Sequence, residues 1–96
     1  MYYVYILVSK SGNKTYTGCT SDISRRIIEH NEGKVFSSRP FLPYELLHSE
    51  GFASLIQARR QERFYKSTTG RRALKVLIER WKVNRRILES PPLPLE

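Results

Sequence analysis

The stretch Ala58–Lys66, ARRQERFYK, carries three arginines, a lysine and a single carboxylate, Glu62. Laid on a helix of 3.6 residues per turn, Leu55, Ala58, Glu62 and Tyr65 share one side, and it is the apolar, inward side. A carboxylate there is costly unless an arginine, a tyrosine hydroxyl or a bound cation compensates it. It could pair with Arg59 or Lys66 at the edge of the stripe, or serve as a hard-oxygen ligand for a divalent metal at the bottom of a cleft. Arg26 and His30 lie four residues apart, on the same face as Ile23 and Ile27. A guanidinium fork beside a titratable imidazole suits phosphate binding with a proton carrier at hand. A lone histidine near a helix end is equally at home as a satisfied, partly buried residue. Tyr5 and Tyr16 offer hydroxyls at the rim of a sheet, or serve only as core aromatics. These five residues come from four different elements and are expected to face one side of an apolar sheet, the usual look of a site.

The elements that must position them are legible in outline. YYVYILVS is rich in β-branched and aromatic residues and almost continuously apolar, as a central, buried strand is. Gly12 and Asn13 supply a tight turn, and TYTGCT returns as the second arm of a hairpin. SDISRRIIEHNEG reads as a helix with Asp22 as N-cap and Gly33 as its stop. KVFSSRPFLP is a proline-punctuated loop, and YELLHSEGF a third strand, edge or middle. Two helical stretches follow, ASLIQARRQERFYKST, uninterrupted until Gly70, and RRALKVLIERWKVNRRIL, with Leu74, Leu77, Ile78 and Trp81 as its apolar stripe. The order β-β-α-β-α-α predicts an α/β (α+β) domain, a small antiparallel sheet with helices packed on it. Residues 1–89 are expected to form this single domain, and 90–96, the proline-rich SPPLPLE, an extended tail.

Composition narrows the partner. The 96 residues hold 17 Lys and Arg against 9 Asp and Glu, a formal charge of +8, and support one modest core. The excess points to a polyanion, nucleic acid before an acidic membrane. Eleven cations lie between Arg59 and Arg86, in the C-terminal two-fifths, where the helical stretches carry only Glu62, Glu79 and Glu89. A phosphate backbone attracts such a cluster through counterion release; a solvated cationic surface is the bland alternative. Cys19 is the sole cysteine, which excludes an internal disulfide and suits a reducing cytoplasm, and with His30 and His48 it makes a poor zinc set. No apolar run approaches the roughly 20 residues that span a bilayer, and the short, aromatic N-terminus reads as a strand, with no basic leader before it.

The chain resembles the GIY-YIG nucleases in their small stand-alone form. Tyr3-Val4-Tyr5 stands for Gly-Ile-Tyr and Tyr16-Thr17-Gly18 for Tyr-Ile-Gly. Thr20, Asp22, Arg26, His30, Asn31 and Gly33 follow at the family's spacing, then Ala58, Glu62 and Lys66. The resemblance runs from about Tyr2 to Ile78. It implies a three-stranded antiparallel sheet flanked by helices, and hydrolysis of nucleic-acid phosphodiesters with one divalent metal, Mg²⁺ or Mn²⁺. By resemblance Glu62 is the metal ligand, Tyr16 lies beside the attacking water as base or positioner, and Tyr5 helps order that water. Arg26 would hold the scissile phosphate and His30 assist proton transfer or contact the phosphate. DNA is the expected partner, with Arg25, Arg59, Arg63, Lys66, Arg71 and Arg72 as its basic contacts. The expected activity is an endonuclease in DNA repair or in processing structured or single-stranded DNA; the alternative is a binding module with the same fold and little turnover. Many members carry an asparagine near the C-terminal end of the domain, where this chain has GRRALKVLIERW and the first asparagine met beyond it is Asn84. With no appended recognition domain expected, specificity would come from backbone contacts, DNA shape or a protein partner.

Overall fold

A computed structural model describes residues 1–89; the expected tail at 90–96 lies outside them. The chain runs β1 (Tyr2–Ser9), β2 (Thr15–Thr20), α1 (Ile23–Asn31), a 3₁₀ turn (Arg39–Phe41), β3 (Tyr44–Phe52), α2 (Leu55–Lys66) and α3 (Thr68–Glu89). The three strands form an antiparallel sheet in the order β2-β1-β3. The most apolar strand is thus the central one, as its composition predicts, and β3 is an edge.

Side chains of a strand alternate between faces, so continuous apolarity in β1 means that both faces are covered. Val4 and Ile6 pack with Ala58 and Tyr65 of α2, joined by Leu74 and Leu77 of α3. Tyr5 and Leu7 pack the other way, with Tyr44, Tyr16 and Ile27 of α1. The sheet is the middle layer of three. On α2, Ala58 and Tyr65 are buried as expected, but Leu55, in the first turn, is 37% exposed and takes no part in the core.

Local chemistry fixes the element ends. The Asp22 carboxylate accepts the Arg25 amide at 3.1 Å, and Gly33 adopts φ +78° just past α1. Ser54 caps α2 through the Gln57 amide at 3.2 Å. The Asn31 side chain exchanges two hydrogen bonds with the backbone of Tyr44, at 2.8 and 3.0 Å, and so pins the start of β3 to the end of α1. Tyr65 donates to Glu50 at 2.7 Å, tying α2 to β3. One boundary differs from expectation. The two C-terminal helices part at Ser67, whose hydroxyl donates to the Phe64 carbonyl at 2.6 Å and accepts the Gly70 amide at 3.1 Å. Gly70 is no terminator; it is buried in the first turn of α3.

Candidate active site

Across the hairpin Tyr5 pairs with Gly18, and the tyrosine ring lies over that glycine: a Cβ at position 18 would come within 2.6 Å of the phenol oxygen. The bare backbone of Gly18 therefore seats Tyr5. Tyr16 stacks beside it at 6.2 Å between centroids and meets the His30 ring edge-on at 4.5 Å. Tyr5 and His30 are almost fully buried, at 1% and 0% exposure. No polar side-chain atom that buried lacks a hydrogen-bond partner among the described residues.

A directional chain satisfies them. Ser38 gives its one hydroxyl proton to the Val35 carbonyl at 3.2 Å, so toward His30 Nδ1, 2.7 Å away, it accepts. Nδ1 then carries the imidazole proton, and bare Nε2 accepts the Tyr5 hydroxyl at 3.0 Å. The Tyr5 oxygen in turn accepts Arg26 Nε–H at 3.2 Å, while the far end of Arg26 pairs with Glu29 at 3.4 Å. Burial, reinforced by the Arg26 charge, lowers the His30 pKa below its ordinary value. Burial pushes the Tyr5 phenol up to about 12, against the opposing pull of the Arg26 hydrogen bond. Both groups are held neutral.

Stability should fail at both ends of the pH range. His30, with its folded pKa depressed, contributes stability present above about pH 6.5 and lost as acid protonates the unfolded chain first. Tyr5, with its folded pKa raised, contributes stability present below about pH 10 and lost as pH climbs toward 12. Denaturant midpoints should therefore fall below pH 6.5 and above pH 10. The alkaline fall should shrink in Tyr5→Phe; an unchanged profile would show that the phenol is not held neutral.

Glu62 stands elsewhere. It belongs to α2, on the opposite face of the sheet from Tyr5, Arg26 and His30, so the expectation that all five face one side is corrected. The physical reason is the two-faced burial of β1, which sends α1 and α2 to different layers. The two halves meet around β2, an edge strand: Tyr5 lies over Gly18 from one side, and Cys19 faces Glu62 on the other. They are close enough for the Glu62 charge to raise the Tyr5 phenol.

The Glu62 side chain is 19% exposed and pairs with Lys66 Nζ at 3.0 Å. Burial alone would raise its pKa, but the Lys66 and Cys19 hydrogen bonds hold it below the ordinary glutamate value, so it is ionised at neutral pH. Cys19 is pushed up to about 11, by burial first and then by Glu62, and stays a thiol. Arg59, Arg63 and Lys66 line the hollow around Glu62, and Arg25 and Arg26 the hollow beside Cys19 and Thr20. Arg72 is not with them: it lies on the outer face of α3 with Val76, Val83 and Asn84.

The GIY-YIG catalytic domain profile matches residues 1–75. The chain belongs to the GIY-YIG family. A UPF0213 protein of Streptococcus agalactiae is 43% identical over 68 residues, 70% of this chain and 76% of its own. One of Staphylococcus haemolyticus is 36% identical over 80 residues, 82% of this chain and 96% of its own. The solution structure of a UPF0213 protein of Bacillus halodurans is 37% identical, covers 80% of this chain and 85% of its own, and superposes with a TM-score of 0.47. The GIY-YIG assignment makes this a domain of a nuclease family. Among the described residues no helix is long and apolar enough to cross a membrane.

The donor set can be tested against the metal that the family implies. Among the described residues no three His, Cys, Asp or Glu side chains cluster. One ionised carboxylate fits Mg²⁺, which keeps most of its waters, and a protonated Cys19 is no thiolate ligand for a softer ion. Asn84, on the outer face of α3, does not line the hollow around Glu62.

Sequence reasoning missed Ser38 and Cys19. Ser38 sits in a loop eight residues past His30, where no period points to it. Cys19 could have been placed, since it follows Gly18 and must point to the opposite face. Gly18 gives a direct check on the seat of Tyr5. Gly18→Ala should retain the fold yet lower cleavage about 10²-fold by pushing the phenol off its partners. Loss of the Tyr5 alkaline stability signature in the same variant would tie the two effects together; full activity would disprove the seat.

Proposed function

We propose that this GIY-YIG protein is a divalent-metal-dependent endonuclease that hydrolyses phosphodiester bonds in DNA, at structured or single-stranded regions such as arise in repair. The observation that carries this reading is the meeting of the Arg26–Tyr5–His30 chain with ionised Glu62 around β2. Glu62 would hold the ion, which supplies Lewis-acid stabilisation of charge on the phosphoryl oxygens. Arg26 binds the scissile phosphate and offsets the same developing charge. Tyr16, packed against both Tyr5 and His30, positions the attacking water.

The hydrogen-bond direction suggests where the water's proton goes. As the water oxygen bonds to phosphorus, its proton passes to the Tyr5 oxygen and the Tyr5 proton passes to Nε2 of His30. A phenol with its pKa pushed up to about 12 is a weak acid and cannot act as a free phenolate at pH 7, but it can relay. Burial, which depresses the His30 pKa, makes the imidazolium a good donor, so it gives the proton back through Tyr5 to solvent, and the leaving oxygen takes a proton from water as the P–O bond breaks. Arg25, Arg59, Arg63, Lys66 and Arg71 would contact the phosphate backbone; Arg72 could serve only a strand that also reaches the outer face of α3.

The second reading, a binding module without turnover, is favoured by one contact, the Lys66 ammonium on the Glu62 carboxylate. Labelled branched and single-stranded DNA, with Mg²⁺ or Mn²⁺ and then chelator, separates the two. Metal-dependent cleavage that chelator abolishes is the expected result. Salt-sensitive binding with no cleavage in any metal would leave the module.

A further inference from the structure

The hollow between the hairpin and the α2–α3 corner lies apart from the bond-breaking groups above. It measures about 370 Å³ and is lined by Thr15, Thr17, Lys66 and Arg71 among others. Through Lys66 it joins the hollow of Arg59, Glu62 and Arg63, and Cys19, which Glu62 faces, lines the next one with Thr20, Arg25 and Arg26. The first hollow touches β2 at Thr15 and Thr17 and the last at Cys19 and Thr20, so their ends span the strand, a track of roughly 17–20 Å at the rise of a strand, with the α2 hollow joined to the first through Lys66. β2 is the edge of the sheet, with strand partners on one side only. The cations along the track outnumber Asp22, Glu29 and Glu62. Arg71 has no ion-pair partner among the described residues and is exposed. The outer face of α3 differs: Val76 and Val83 separate its cations, which does not suit a phosphate chain.

We propose that Arg71, with Lys66 and the hydroxyls of Thr15 and Thr17, forms a phosphate subsite for an unpaired nucleic-acid strand lying along β2. The scissile phosphodiester sits at the Arg26–Glu62 junction, and the subsite holds a phosphate on one side of it only. A narrow basic groove that follows a backbone matches the recognition of single strands. This rests on the nuclease reading and makes it directional.

The test uses the full chain and Arg71→Ala, with Thr17→Val as a second variant, on a labelled single-stranded oligonucleotide. Binding is measured in chelator from 50 to 200 mM salt. Arg71→Ala should bind about threefold to tenfold more weakly and lower the salt slope by about 0.7, one single-strand phosphate. The cut is then mapped in Mg²⁺ and flanking phosphates are replaced singly by uncharged methylphosphonates. One position, on one side of the cut, should weaken binding by the wild type and leave Arg71→Ala indifferent. An unchanged slope, or a variant as sensitive as the wild type at every position, overturns the subsite. Binding that loses the Arg71 slope term without any cleavage keeps the subsite and removes the nuclease reading; no binding at all removes both.

Discussion

Glu62→Gln is expected to lower phosphodiester cleavage by about 10³-fold or more while leaving the protein folded. The size follows from the chemistry: a metal-borne Lewis acid is worth several kcal/mol in the transition state, and each 1.36 kcal/mol is a factor of ten. The small folding cost follows from the surroundings, because the ion pair joins a carboxylate at 19% exposure to an ammonium at 58%. Such a pair is worth less than about 1 kcal/mol after screening. Glutamine keeps the shape and removes the charge. The variant carries its own internal control. The Glu62 hydrogen bond and charge are, after burial, what pushes the Cys19 thiol up to about 11. Removing the charge should let that thiol ionise more readily and react faster with an alkylating reagent. Lost cleavage with faster alkylation places Glu62 as described. Retained cleavage would remove the carboxylate from the chemistry.

Gly70→Ala is expected to destabilise the fold by about 3 kcal/mol or more, against the usual sign of the change. In most helices alanine is better than glycine by up to about 1 kcal/mol. Here a Cβ would fall 1.7 Å from the Phe64 carbonyl oxygen and 2.7 Å from the Tyr65 Cα. Both neighbours are main chain, so no rotamer change relieves the overlap, and α3 must move away from α2. That shift would pull Leu74 and Leu77 off Val4, Ile6 and Ala58. A drop of that size is a large share of the 5–15 kcal/mol typical of a small domain and should lower the melting temperature by well over 10 °C. A variant as stable as the parent would show that the corner is looser than described.

How much was legible beforehand follows from how local each signal is. Asp22, Gly12 and Gly33 announce a cap and two positive-φ turns by their own side chains, or by the lack of one, and each is found where expected. The central place of β1 was visible because both its faces are apolar. The same fact should have warned against a one-sided site, since a strand buried on both faces sends its helices to opposite layers. Glu62 was rightly read as facing inward, but only the packing of α2 decides which face of the sheet is inward for it. The Ser67 break was hidden because a serine closing a helix looks like any other, and Gly70 just beyond it supplied a more obvious and incorrect stop. Ser38 could not be found from spacing at all, since its tie to His30 depends on how a loop folds back.

The division of the site between two layers has a mechanical consequence. The phenol stands on β1 against the guanidinium and imidazole of α1, the acid stands on α2 across the sheet, and the two sides meet at the edge strand β2. A ligand gripping both sides would therefore act as a clasp across the edge strand, adding to the packing that already holds both layers on β1. A nucleic-acid strand bound on both sides would stiffen the fold as it is captured, so affinity and rigidity would rise together.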